Sequence, residues 1–190
     1  MKQITFETER LLLRPLTTAD IKSHHEYSSD WETVKYMYSL SFPKGSVVPE
    51  EKTFAYLKTC ELEWKKDAPE FLEFAVVEKS SAKMIGNICL YPDYPEKAEC
   101  EIGWMFNRAY QGKGYCTEAA LRLKTFAVES LGIKKLIAHC DERNLASARV
   151  MEKLGMKKNW GNGPREYPLT GEKSTEAMYA LDIKDDKNEN

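Results

Sequence analysis

Residues 98–131 read AECEIGWMF, NRAYQGKGYC and TEAALRLKTFAVESL. Read in order, they predict a strand, a glycine-containing turn and a helix that Gly132 stops. Backbone amides exposed at the start of such a helix form a ready anion site. The plain alternative is a tight turn that uses glycine for unusual dihedrals. Two nucleotide-binding patterns fail here. Thr117 occupies the last glycine position of G-x-G-x-x-G, and no G-x-x-x-x-G-K-[ST] is present. Context favours the anion site, with a strand before, a helix after and Lys113 at hand to neutralise phosphate. Alternation places Glu99, Glu101, Gly103 and Met105 on one strand face, and Cys100, Ile102, Trp104 and Phe106 on the other. The apolar set is expected to pack into core. The two carboxylates then share a face, as a solvated strand face, a cross-strand ion pair or a general base.

The chain around this stretch has 190 residues, 42% hydrophobic and 31% charged, with a formal net charge of −2. These values suit one globular domain over 1–183 followed by a polar tail, 184–190. The balanced charge argues against a nucleic-acid partner. No apolar run approaches spanning length and no signal segment opens the chain, so the expectation is a cytoplasmic protein away from membranes. The five cysteines are odd in number and form no C-x-x-C pair, and the three histidines have no metal-ligand spacing. Reduced thiols and no metal are therefore expected. His139 and Cys140 are neighbours in a predicted strand and point to opposite faces, which argues against a Cys–His nucleophile.

Upstream, 9–16 predicts a strand closed by Pro15, and Thr17-Thr18-Ala19-Asp20 fits a capping box that starts a helix toward Ser28. Residues 30–48 read as short helical turns and loop, with aromatics expected to cover core. A helix follows Pro49, its stripe drawn through Phe54, Leu57, Cys60 and Trp64. Leu72–Glu78 and Met84–Tyr91 predict a hairpin. Downstream, 135–140 predicts a strand parallel to the central one through a right-handed βαβ crossover. Asn144 caps a helix that Gly155 ends. Residues 156–160 and 175–182 predict a last strand pair, joined by a long loop over 161–174.

The run Q-G-K-G-Y-C at 111–116 resembles the [Q/R]-x-x-G-x-[G/A] signature of the Gcn5-related N-acetyltransferases (GNAT), with Gln111 and Gly114 in place and Cys116 at the usually small position. The resemblance continues through ETERLLLRPLTTAD, IGNICLY, ECEIGWMF and RNLASARVMEKLGM. It looks like the branch of ribosomal-protein N-terminal acetyltransferases. It implies an α+β fold, a mixed and mostly antiparallel sheet whose parallel crossover splays to admit coenzyme A. It also implies acetyl-CoA as co-substrate, held by Gln111, Gly112, Lys113, Gly114, Tyr115, Cys116 and Thr117 at its pyrophosphate and by the backbone of Met105 and Phe106 along its pantetheine arm. Asn144 is implied as a pantetheine hydrogen-bonder, besides its role as N-cap. Glu101 matches the position of a glutamate base, and the resemblance implies it as base, directly or through water, or as a substrate anchor where a water chain takes the proton. Met151 stands where many members carry a tyrosine acid, and the resemblance implies Ser147, at a position where this branch often carries serine, as the proton donor or thiol partner. The implied reaction is direct acetyl transfer to a primary amine, on a protein N-terminus or a small molecule. A coenzyme-binding module without catalysis is the alternative. The acceptor side is expected from 31–42, the 92–97 loop and the 161–174 loop, and a homodimer through the last strands is possible.

Overall fold

The computed structural model describes residues 4–93 and 98–183. The expected tail, 184–190, and residues 94–97 of the expected acceptor loop lie outside the described residues. Among the described residues the strands form one eight-stranded sheet, in the order β1-β2-β3-β4-β5-β6-β8-β7. The strands are β1 (Phe6–Glu7), β2 (Leu11–Pro15), β3 (Leu72–Glu78), β4 (Lys83–Asp93), β5 (Glu99–Phe106), β6 (Lys135–Asp141), β7 (Lys157–Glu166) and β8 (Lys173–Asp182). Every neighbouring pair is antiparallel except β5 and β6. The helices are α1 (Ile21–Ser28), α2 (Trp31–Val34), α3 (Glu50–Glu63), α4 (Tyr115–Leu131) and α5 (Leu145–Lys153). No helix among the described residues is long and apolar enough to cross a membrane.

The strand alternation read from the sequence decides which core each side chain joins. Cys100, Ile102 and Phe106 of β5 pack with Ala120, Leu123 and Phe126 of α4 on one face. Met105 joins Tyr27, Leu57 and Cys60 beneath α1 and α3 on the other. Each large apolar side chain buried in this way contributes roughly 1.5–3 kcal/mol. The capping box also forms, with Asp20 Oδ2 accepting from the Thr17 amide at 3.0 Å while Arg14 grips the same carboxylate at 2.6 and 2.8 Å.

Three expectations need correction. The buried stripe of α3 runs through Thr53, Leu57 and Cys60, and Phe54 is 48% exposed. Thr53 takes the inward place because its hydroxyl meets His25 Nδ1 at 2.8 Å. The supposed long loop over 161–174 is mostly sheet: β7 continues to Glu166, β8 begins at Lys173, and the connection is Tyr167–Glu172. Register shifts at 158/160 and 160/163 absorb the Gly161-Asn162-Gly163 stretch. Pro164 is tolerated because β7 is an edge strand. Finally, 36–40 does more than cover core, because it lines a cavity described below.

Candidate active site

The β5–β6 pair explains how a cleft opens in the middle of a continuous sheet. Their register runs Glu99–Lys135, Cys100–Leu136 and Glu101–Ile137, and among the described residues it ends there. Beyond Glu101, β5 continues to Phe106 paired only with β4. The two strands therefore splay and leave one backbone edge of Ile102–Phe106 without a β6 partner. Gly86 on β4 permits a close approach behind this edge, since a Cβ there would meet the Met105 carbonyl oxygen at 2.7 Å.

Two cavities use the splay. One, of about 650 Å³, is lined by the turn and by α5. Met105, Phe106, Gln111, Gly112, Gly114, Tyr115, Cys116, Thr117 and Asn144 border it, together with the cations Lys35, Arg108, Arg143, Arg149 and Lys153 and the carboxylate Glu32. Gly112 and Gly114 have φ of +75° and +83°, which is the conformational reason for glycine at both. The first amides of α4 have no intrahelical acceptors and face this space with the positive end of the helix dipole. Lys113 departs from the expected set. It does not border the cavity, and its ammonium lies 5.1 Å from the centre of the Tyr110 ring. The Gln111 side chain is used internally, donating to the Phe106 carbonyl at 2.9 Å. Half-buried Cys116 has its thiol pushed up by desolvation, the reverse of activation.

Arg10 holds the turn from a distance in sequence. Its Nη1 donates to the Lys113 carbonyl at 3.0 Å, its Nε to Glu118 Oε2 at 2.7 Å, and its guanidinium covers Tyr115 at 4.4 Å. Thr8 adds a hydroxyl donor to Glu118 at 2.6 Å, and Tyr115 donates to Glu78. Nothing local in 8–10 marks these residues as part of the site. They are recruited when β2 and α4 pack together.

The second cavity, of about 590 Å³, lies on the α1–α3 side of the splay. Glu101 and His139 border it, and His139 Nδ1 sits 3.0 Å from Glu101 Oε1. That hydrogen bond, the largest influence, and the charge of Glu101 raise the His139 pKa against the opposing effect of burial. The pairing follows from the parallel register, which sets β6 beside β5 at Glu101, and strand alternation alone did not reveal it. Glu99, in contrast, is neutralised by Lys135 at 2.7 Å and borders neither cavity.

The cavities share Tyr36, Met37, Trp104, Met105, Asn144 and Ser147. At this junction Ser147 Oγ accepts from Trp104 Nε1 at 3.2 Å and from Asn144 Nδ2 at 3.1 Å. Both of those contacts come from N–H donors, so the hydroxyl hydrogen of Ser147 is left to donate elsewhere. Asn144 is also the N-cap, accepting from the Ser147 amide at 3.2 Å. The turn leading into α5 is fixed by Asp141, whose side chain is fully buried. Burial alone would raise its pKa, but hydrogen bonds from Arg143 and Tyr167 hold it well below the usual carboxylate range.

Residues 10–157 match the acetyltransferase (GNAT) domain family. An uncharacterized N-acetyltransferase of Bacillus subtilis (strain 168), YnaD, is 34% identical over 174 residues, 92% of this chain and 94% of that one. A GNAT-family acetyltransferase from Bacillus anthracis superposes with a TM-score of 0.76 at 29% identity, covering 94% of this chain and 98% of the other. RimL, a ribosomal-protein alpha-N-acetyltransferase solved in complex with coenzyme A, shares the fold with a TM-score of 0.79, at 19% identity over 95% and 98% of the two chains. The chain belongs to the GNAT family and is an acyltransferase of that family.

Proposed function

We propose that the protein transfers acetyl from acetyl-CoA to a primary amine by direct attack, with Glu101 as base and Ser147 as acid. The observation that carries this reading is the meeting of the two cavities at Trp104, Met105, Asn144 and Ser147. On one side lies an anion-binding helix start, and on the other a carboxylate–imidazole pair.

The residues present fit coenzyme A. The turn offers backbone donors to a pyrophosphate, Arg108, Arg149 and Lys153 supply positive charge, and the unpaired edge of β5 suits an amide-bearing arm. Acetyl-CoA would supply the acetyl group as a thioester when bound, and free coenzyme A would leave as the thiol.

On the acceptor side the amine arrives as an ammonium ion and has to lose a proton before its lone pair can attack. Glu101, directly or through a water, takes that proton, and His139 holds the carboxylate in place. The new C–N bond forms as the C–S bond breaks. Backbone amides near Met105 polarise the thioester carbonyl. Ser147 donates its hydroxyl hydrogen to the departing sulfur, its oxygen held by Trp104 and Asn144. The acceptor classes this chemistry admits are a protein N-terminus and a small-molecule amine.

Calorimetry with acetyl-CoA, followed by thiol-release assays on an amine panel that includes peptides, tests the reading. Ser147→Ala is expected to lower turnover about 10²-fold while acetyl-CoA affinity holds. Acetyl-CoA binding without turnover on any amine would favour a coenzyme-binding module, a reading to which Met151, buried in the cavity wall, lends weight. No binding would remove the proposal altogether.

A further inference from the structure

The mechanism leaves one buried carboxyl of the acceptor cavity without a task. Glu73 on β3 borders this cavity and is 1% exposed. Asn87 Nδ2 donates to its Oε1 at 2.6 Å, and Asn87 is itself fixed by the Tyr27 hydroxyl at 2.8 Å. Tyr56 and Cys89 are its other hydrogen-bonding side chains. All of these partners are neutral, and no Lys or Arg is among them. A buried carboxylate normally keeps a cationic partner. Here the cavity that Glu73 borders is where such a partner could be supplied.

Sheet register connects this group to the reacting centre. Glu73 pairs with Cys89, and Cys89 pairs with Gly103, so the three form one row across β3, β4 and β5 on a single face. Glu101 lies two residues along β5 on that same face. Strand spacing and rise put the Cα atoms of Glu73 and Glu101 roughly 12 Å apart. The position between them is a glycine. A Cβ on Gly103 would stand 3.0 Å from Cys89 Sγ, so a side chain there would narrow the row that joins the two carboxyls. The charged side chains of this cavity are predominantly acidic: Glu73, Glu101, Glu166 and Glu176, against Arg165 and His139. Arg165 is already paired with Glu176.

We infer that the acceptor is a small diamine, one amino group facing Glu101 and His139 while the second, as an ammonium ion, is held by Glu73. The inference rests on the acetyl-transfer reading above and names its substrate class. A volume of about 590 Å³ is the scale of a small-molecule site. Burial pushes the Glu73 carboxyl up to about 7, opposed by hydrogen bonds from Asn87 and Tyr56. An arriving ammonium ion would therefore draw the group into its charged form near neutrality. A peptide N-terminus would present neutral amides in the same row and leave Glu73 without its cation.

The test compares kcat/KM for 1,4-diaminobutane, butylamine and a set of peptides with free N-termini, in wild type and Glu73→Gln, beside calorimetry with acetyl-CoA. The expected result is a preference of wild type for the diamine over the monoamine of about 10-fold or more, the scale of one charged hydrogen bond. Glu73→Gln should erase that preference while leaving the monoamine rate and acetyl-CoA affinity in place. Equal use of diamine and monoamine by wild type overturns the inference without any variant, so a folding defect in Glu73→Gln cannot rescue it. A preference that persists in folded Glu73→Gln also overturns it, as does turnover of peptides with diamines ignored. In those cases acetyl transfer itself stands. Acetyl-CoA binding with no amine consumed removes the underlying reading, and the inference with it.

Discussion

The two halves of the cleft are built in opposite ways. The half proposed for the coenzyme is drawn from three short runs of chain, 32–37, 104–117 and 143–153. Its main features are backbone ones: a splayed strand edge, two left-handed glycines and a helix start. The acceptor half gathers side chains from β3, β4, β5, β6, β7 and the 36–40 segment. Its chemistry resides in individual carboxyl, imidazole and hydroxyl groups. A backbone site tolerates many side chains, so relatives can differ widely and keep it. A side-chain site can change its ligand with two or three substitutions. On the proposed reading, the family is therefore written in the first half and the acceptor in the second.

If that division holds, chemistry and coenzyme affinity should separate on mutation. Glu101→Gln keeps the size of the side chain and removes its basicity. We expect kcat/KM to fall by about 10²–10⁴-fold, with the calorimetric Kd for acetyl-CoA unchanged. A matching loss of coenzyme affinity would show that the halves are not independent.

Gly114→Ala should do the reverse, with a smaller effect. The residue has φ of +83°, and its added Cβ would also stand 3.4 Å from Arg10 Nη2. Holding an L-residue in the left-handed region costs about 1–2 kcal/mol, and a turn that relaxes to relieve this strain has to be driven back on binding, which is worth up to roughly 5–30-fold in acetyl-CoA affinity. The KM for the amine should stay within experimental scatter. A rise in amine KM without a change in coenzyme binding would break the comparison from the other side.

The same division explains what could be read before the structure. The strand, turn and helix of 98–131, the caps at Thr17 and Asn144, and the parallel crossover are local signals, and each forms as its residues suggest. The family resemblance singles out Glu101 and Ser147, with strand alternation adding only that Glu101 shares a face with Glu99. The rest depended on pairing across distance. Arg10 reaches Lys113 and Glu118 only because β2 packs near α4. His139 meets Glu101 through a three-residue parallel register that no local pattern encodes. Glu73 reads as an ordinary strand residue until β3, β4 and β5 are aligned. The bulged course of β7 looks like loop in sequence because glycine, asparagine and proline are turn residues wherever an edge strand does not absorb them.

The smallest expected effect concerns His139, and it bears on how finely the acceptor half is tuned. Its hydrogen bond to Glu101 raises its pKa above the ordinary 6.5. A histidine with a raised folded-state value adds stability below its unfolded value and loses that contribution as pH rises through the folded one. Catalysis runs the other way. Below the raised value, protonated His139 forms an ion pair with Glu101 that competes with the incoming ammonium ion for the carboxylate, so kcat/KM should fall as pH drops through that range. His139→Gln can still hydrogen-bond to Glu101 but carries no charge. It should leave the rate well above neutrality nearly as in wild type and move the acid limb of the pH–rate profile to lower pH. A limb that does not move would assign the falling rate to protonation of the amine, leaving Glu101 to work without its neighbour.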